Sequence, residues 1–71
     1  MKNKVKLLDV VALTDDLPKG ELRRGQVGTV VEVLAPDVYE VEFTDNDGRM
    51  YAELAIQEEK LLILHYEPAI T

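Results

Sequence analysis

Asp45, Asn46 and Asp47 place three oxygen-bearing side chains in succession, the donor chemistry a hard cation such as calcium selects, with Gly48 directly after them. A calcium loop of the EF-hand kind needs about twelve residues and a closing bidentate glutamate, and neither fits a four-residue break between two apolar runs. Asp and Asn tolerate tight-turn geometry and Gly48 accepts a positive φ, so the stretch reads as a hairpin turn. His65 is the single histidine and cysteine is absent, which leaves no donor set for a typical zinc or iron site. His65 could act as a general base, yet the chain has no serine, and Thr14, Thr29, Thr44 and Thr71 stand in no nucleophile context. Asp15-Asp16 and Glu58-Glu59 could serve acid and base chemistry only where a pocket shifts their pKa values, and adjacent loop positions give no sign of one. The expectation is therefore a protein that is not an enzyme, with no catalytic residue, no metal ligand and no cofactor.

Two groups of charged side chains remain. Glu32, Glu40, Glu42 and Glu53 alternate with apolar residues and would gather on one outer sheet face, where a basic protein surface could dock. Lys19, Arg23 and Arg24 form the main basic group beyond the N-terminus, the alternative patch for a nucleic acid or peptide. Only 6% of the chain is aromatic and tryptophan is absent, which suits neither base stacking nor a polyproline groove.

These side chains must be held by a small frame. Seventy-one residues fit a single domain, 1–71, and a chain of this size buries only about 60% of its unfolded surface. With 46% hydrophobic residues and no cysteine, the core must hold by packing alone. Three of the eight bases lie in the first six residues, so residues 7–71 set five bases against fourteen acids, a charge of −9. Such a surface repels phosphate backbones, so nucleic acid is a disfavoured partner and a basic protein a favoured one. Asp9 interrupts the apolar run after Lys2, Lys4 and Lys6, so no export signal is read, and no stretch is long enough to span a bilayer. The expected location is cytoplasmic.

Turn residues punctuate the chain at Asp15-Asp16, Pro18, Gly20, Gly25, Pro36-Asp37 and Asp45 to Gly48, separating short runs rich in valine, leucine and isoleucine. The spacing predicts strands near 9–13, 27–34, 38–44, 49–56 and 61–65. Pairing Thr44 with Arg49 would set Phe43 against Met50, Val41 against Ala52 and Tyr39 against Leu54 on an apolar face. The same register would put Glu42 opposite Tyr51 and Glu40 opposite Glu53 on a wet one. Val30, Val31 and Val33 cannot all point inward from a regular pleat, which calls for a bulge or close backbone approach near Gly28. Residues 14–26 read as a long ordered loop pinned by Leu17 and Leu22, residues 57–60 as one helical turn, and 1–6 and 66–71 as flexible ends. The predicted fold is all-β: a small five-stranded SH3-like barrel with a long first loop and a short helical turn before the last strand.

Leu8-Asp9-Val10-Val11-Ala12-Leu13, Leu17-Pro18, Arg24-Gly25-Gln26-Val27-Gly28-Thr29-Val30-Val31, Tyr39-Glu40-Val41-Glu42-Phe43, Asp47-Gly48-Arg49 and Tyr51-Ala52 together resemble the small bacterial family called domain of unknown function 4926, over nearly the whole chain. The resemblance implies a stand-alone small β domain and no known catalytic residues. Arg24 to Val33 alone is similar to the KOW element of SH3-like barrels in ribosomal and transcription proteins, which implies RNA contact. The expected function is a protein-interaction module for a basic partner, as a subunit or an antitoxin-like neutraliser, present as a monomer or an edge-paired homodimer. The alternative is a KOW-like nucleic-acid binder.

Overall fold

A computed structural model describes residues 5–65. Five antiparallel strands, β1 (Val10–Leu13), β2 (Val27–Ala35), β3 (Val38–Thr44), β4 (Met50–Gln57) and β5 (Leu61–Ile63), form one sheet in the order β4-β3-β2-β1-β5. Hydrogen bonds do not join β4 to β5, so the sheet stays open along those edges. Two 3₁₀ turns complete the described structure, Pro18–Gly20 inside the long first loop and Glu58–Lys60 between β4 and β5. Pro36-Asp37 makes the tight turn from β2 into β3, with Ala35 paired to Val38.

Period-2 alternation builds the core. Tyr39, Val41 and Phe43 of β3 are all but fully buried, with Val30 of β2, Val11 and Leu13 of β1, Ile56 of β4 and Leu61 of β5 packed around them. Leu17 and Leu22 pin the first loop, each donating its backbone N–H to the other's carbonyl, at 2.8 and 3.1 Å, while Leu22 enters the core. Of the residues assigned to flexible ends, 1–4 and 66–71 lie outside those described, whereas Val5 packs in the core at 5% exposure.

The β3–β4 register differs from the expected one by two residues. Phe43 pairs with Ala52, Val41 with Leu54 and Tyr39 with Ile56. Two irregularities produce the shift. In the turn, Gly48 at φ 83° donates to the Asp45 carbonyl while Asp45 donates to that of Arg49, so Gly48 and Arg49 together oppose Asp45. Tyr51 is then the extra residue between Thr44–Met50 and Phe43–Ala52. Each insertion alone would exchange the two faces of β4; together they restore the apolar side to the core.

Close approach holds at Gly28, but the bulge lies three residues further on. A Cβ at Gly28 would sit 2.7 Å from Val41 Cγ1 and 2.8 Å from the Glu42 carbonyl oxygen, so only glycine lets β2 and β3 meet there. The ladder slips at Val31 and again at Leu34. Val30 alone of the three valines is buried, while Val31 and Val33 are 36% and 51% exposed.

One further device brackets the β1–β2 ladder. At one end Gly25 N–H donates to Leu13 carbonyl, Leu13 N–H donates to Gln26 carbonyl, and a turn closes from Gln26 N–H to Arg23 carbonyl. At the other, Leu8 donates to Val30, Val30 to Asp9, and Asp9 to Lys6. In both, the residue that starts the bulge has a left-handed backbone, φ 92° at Gly25 and φ 72° at Leu8.

Candidate functional site

β3 alternates half-buried and buried residues from Val38 to Phe43, and the half-buried ones, Val38, Glu40 and Glu42, face away from the core. Glu42 lies between Thr29 of β2 and Glu53 of β4; Glu40 lies between Glu32 of β2 and Ala55 of β4. All four predicted acidic residues are thus brought onto the outer face of β2, β3 and β4. The expected pairing of Glu40 with Glu53 is corrected: the turn and the Tyr51 bulge move Glu53 opposite Glu42 and leave it diagonal to Glu40. The slip at Val31 sets Glu32 directly against Glu40, a contact the regular pleat would not give.

Glu40 is therefore the centre of the group. Its carboxyl is raised above the usual 4.5, first by partial desolvation on the sheet, then by a hydrogen bond with Glu53, then by the charges of Glu53 and Glu32. Like charges set opposite each other across strands repel, and a carboxyl so placed answers by holding its proton longer. The arrangement has the chemistry of a cation acceptor: a lysine or arginine laid over it would neutralise several charges at once.

The basic residues do not converge in the same way. Lys19 lies on the first 3₁₀ turn and lines a cleft of about 230 Å³ with Leu17, Pro18, Leu54 and Lys60. Arg23 lines a separate cleft with Asp16, Pro18 and Glu21. Arg24 donates its backbone N–H to Asp16 Oδ1 at 2.9 Å. Acids are interleaved with the bases throughout this loop. Lys60, which joins Lys19 and also pairs with Asp15 at 3.5 Å, was missed from sequence because it arrives from a distant 3₁₀ turn, where its carbonyl accepts from Thr14 N–H at 3.0 Å.

The oxygen-rich turn uses its carboxylate internally, since Asp45 Oδ1 accepts from the N–H groups of Asp47 and Arg49 at 2.9 Å each. His65 is exposed just beyond β5, on the rim of an open cleft of about 400 Å³ shared with Val5 and Leu61. Among the described residues no helix is long and apolar enough to cross a membrane.

A family model described as Domain of unknown function (DUF4926) matches residues 7–63 of the 71. The chain belongs to this family. The DUF4926 span takes in all five strands, the four glutamates of the outer face and the three bases of the first loop, and leaves out Val5 and His65. Neither a curated protein nor a solved structure matches the chain.

Proposed function

We propose that this DUF4926 domain is a non-enzymatic interaction module, a small cytoplasmic SH3-like barrel whose outer face binds a protein with a basic surface, as a subunit or an antitoxin-like neutraliser. The observation that carries the reading is the placement of Glu40 between Glu32 and Glu53, with Glu42 beside them and the Glu40 carboxyl raised by its neighbours. A face that repels itself when empty gains by accepting a cation, and that gain is the selectivity of the module. The barrel form is supported by the meander β2-β3-β4, the β1–β5 pair and the 3₁₀ turn between β4 and β5. Nucleic acid is a poorer partner, because Asp16 and Glu21 stand among the bases that would have to track a phosphate backbone.

The test is a pull-down from native extract on the immobilised full chain beside its Glu40→Lys, Glu42→Lys double variant. A basic protein that is retained at low and moderate salt and lost from the double variant is the expected result. Retention of nothing, or of the same proteins by both chains, overturns the reading. In parallel, fluorescence anisotropy with short RNA at low salt is expected to show no binding; binding that Arg23→Glu, Arg24→Glu abolishes would establish the KOW-like alternative.

A further inference from the structure

The acidic group occupies only half of the outer face. On β1 every residue from Val10 to Leu13 is apolar, and with Val11 and Leu13 in the core, Val10 and Ala12 must face the other way. Ala12 pairs with Val27 of β2 on one side and Leu62 of β5 on the other, forming one apolar row across three strands. Ala12 itself is buried at 8% exposure, while Val27 and Leu62 on either side of it are 42% and 57% exposed, so the row meets solvent at those two residues. The next row runs from Val10 to Thr29, then to Glu42 and Glu53. The face thus passes from apolar over β5, β1 and β2 to acidic over β2, β3 and β4.

We infer that this outer face is a docking surface for one amphipathic basic helix of a protein partner, its apolar side on Val27 and Leu62, either side of the buried Ala12, and its Lys or Arg flank on Glu40, Glu42 and Glu53. The inference deepens the proposed function and rests on it for the sign of the partner's charge. Strand spacing supplies the fit: β1 and β3 lie two strands apart, roughly 10 Å, about the diameter of a helix with its side chains. A helix lying along β2 therefore meets apolar rows on one flank and carboxylates on the other. Among the described residues there is no α-helix or second sheet to form the layer that ordinarily covers a sheet half apolar on both sides. A second copy is the poorer occupant, since at a net charge of −6 two such faces would bring their carboxylates towards each other.

The experiment titrates the isotope-labelled full chain with designed peptides in physiological salt, following backbone amide resonances. The probes are a Leu/Lys peptide of about five helical turns, roughly 18 residues, with its leucines on one face, the same composition scrambled to leave no apolar face, and a Leu/Glu counterpart of the first. The first peptide is expected to shift Ala12, Val27, Leu62, Glu40 and Glu42 and to bind at least about tenfold tighter than the scrambled one. Val27→Thr with Leu62→Thr places β-branched, strand-favouring residues at exposed positions and is expected to remove that advantage, whereas Leu34→Thr, off the paired rows, leaves it intact. Equal binding of the two Leu/Lys peptides, or indifference to the threonine pair, overturns this inference and spares the basic-partner reading. Binding of neither Leu/Lys peptide overturns both, and tight binding of the Leu/Glu peptide overturns the choice of a basic partner. Shifts of the same rows with protein concentration alone would make the occupant a second copy and overturn the inference.

Discussion

Leu8 and Gly25 hold equivalent positions at opposite ends of the β1–β2 ladder. Each opens a bulge with its N–H on the carbonyl across the ladder, each follows the same three-bond pattern, and each has a positive φ. Glycine enters that conformation freely, while a leucine there sets its Cβ against the carbonyl oxygen. Leu8 gains little from burial in return, being 71% exposed.

Leu8→Gly is accordingly expected to stabilise the domain. Relief of the left-handed strain contributes about 1–2 kcal/mol and the looser unfolded chain takes back about 0.5–1, leaving a gain of roughly 0.5–1 kcal/mol. Urea unfolding measures it through a higher midpoint at unchanged slope. The reciprocal Gly25→Leu should lower the midpoint. A loss on Leu8→Gly would show that the leucine is held by contacts of its own.

Gly28→Ala is expected to destabilise by about 1–3 kcal/mol, because the new methyl would overlap the Glu42 carbonyl, backbone that cannot turn aside as a side chain can. The same unfolding experiment reads it. Full stability in this variant would mean that β2 and β3 separate more easily than their register implies.

The sign of the Glu40 effect follows from linkage. A carboxyl whose folded pKa lies above its unfolded value contributes stability in full below about pH 4, and loses it as pH rises through the folded value. At neutral pH the charged Glu40 therefore opposes folding. Glu40→Gln should raise the thermal midpoint at pH 7, with the advantage shrinking as pH falls towards 4. An advantage independent of pH would assign the gain to packing instead.

Neutral salt provides a second check on the same face. Screening weakens repulsion among Glu32, Glu40, Glu42 and Glu53, so the midpoint should rise modestly with salt, and less so in Glu40→Gln. A midpoint that falls with salt would show that pairs such as Lys60 with Asp15 outweigh the repulsion.

Tyr39 ties β3 to the turn before β5. Its hydroxyl is shared between the Pro36 carbonyl at 3.2 Å and Glu58 Oε1 at 3.3 Å. Tyr39→Phe should cost about 1 kcal/mol. Burial first, then the charge and hydrogen bond of Glu58, then the charge of Asp37, raise the phenol above its usual 10.0. Stability tied to the phenol is present below pH 10 and lost as pH rises past it, a decline that Tyr39→Phe should flatten.

Strand number and the inward side of β3 and β4 were legible because alternation is local: Tyr39, Val41 and Phe43 announce their face whatever lies opposite. Register was not, since it depends on turn geometry and on single extra residues. Val31 and Tyr51 are chemically ordinary strand residues, and only the partner strand reveals that nothing pairs with them. The acidic group was legible as a group, though its centre, Glu40 facing Glu32, required the slip at Val31. The apolar half of the outer face had a signal that alternation overshadowed, namely the unbroken runs Val10 to Leu13 and Leu61 to Leu64, which mark strands apolar on both sides. Leu8 had none, because a left-handed leucine has no distinguishing neighbours in sequence.

The unpaired residues Val31, Leu34 and Tyr51 also bear on descent. Each stands outside the one-to-one pairing of its strand, so removing it would heal the ladder while every flanking side chain kept its side. A residue lost between Glu53 and Gln57 would instead turn part of β4 inside out. Relatives that are one residue shorter should therefore carry their gaps at those three sites, and the reach of the acidic face across β2, β3 and β4 would vary with them.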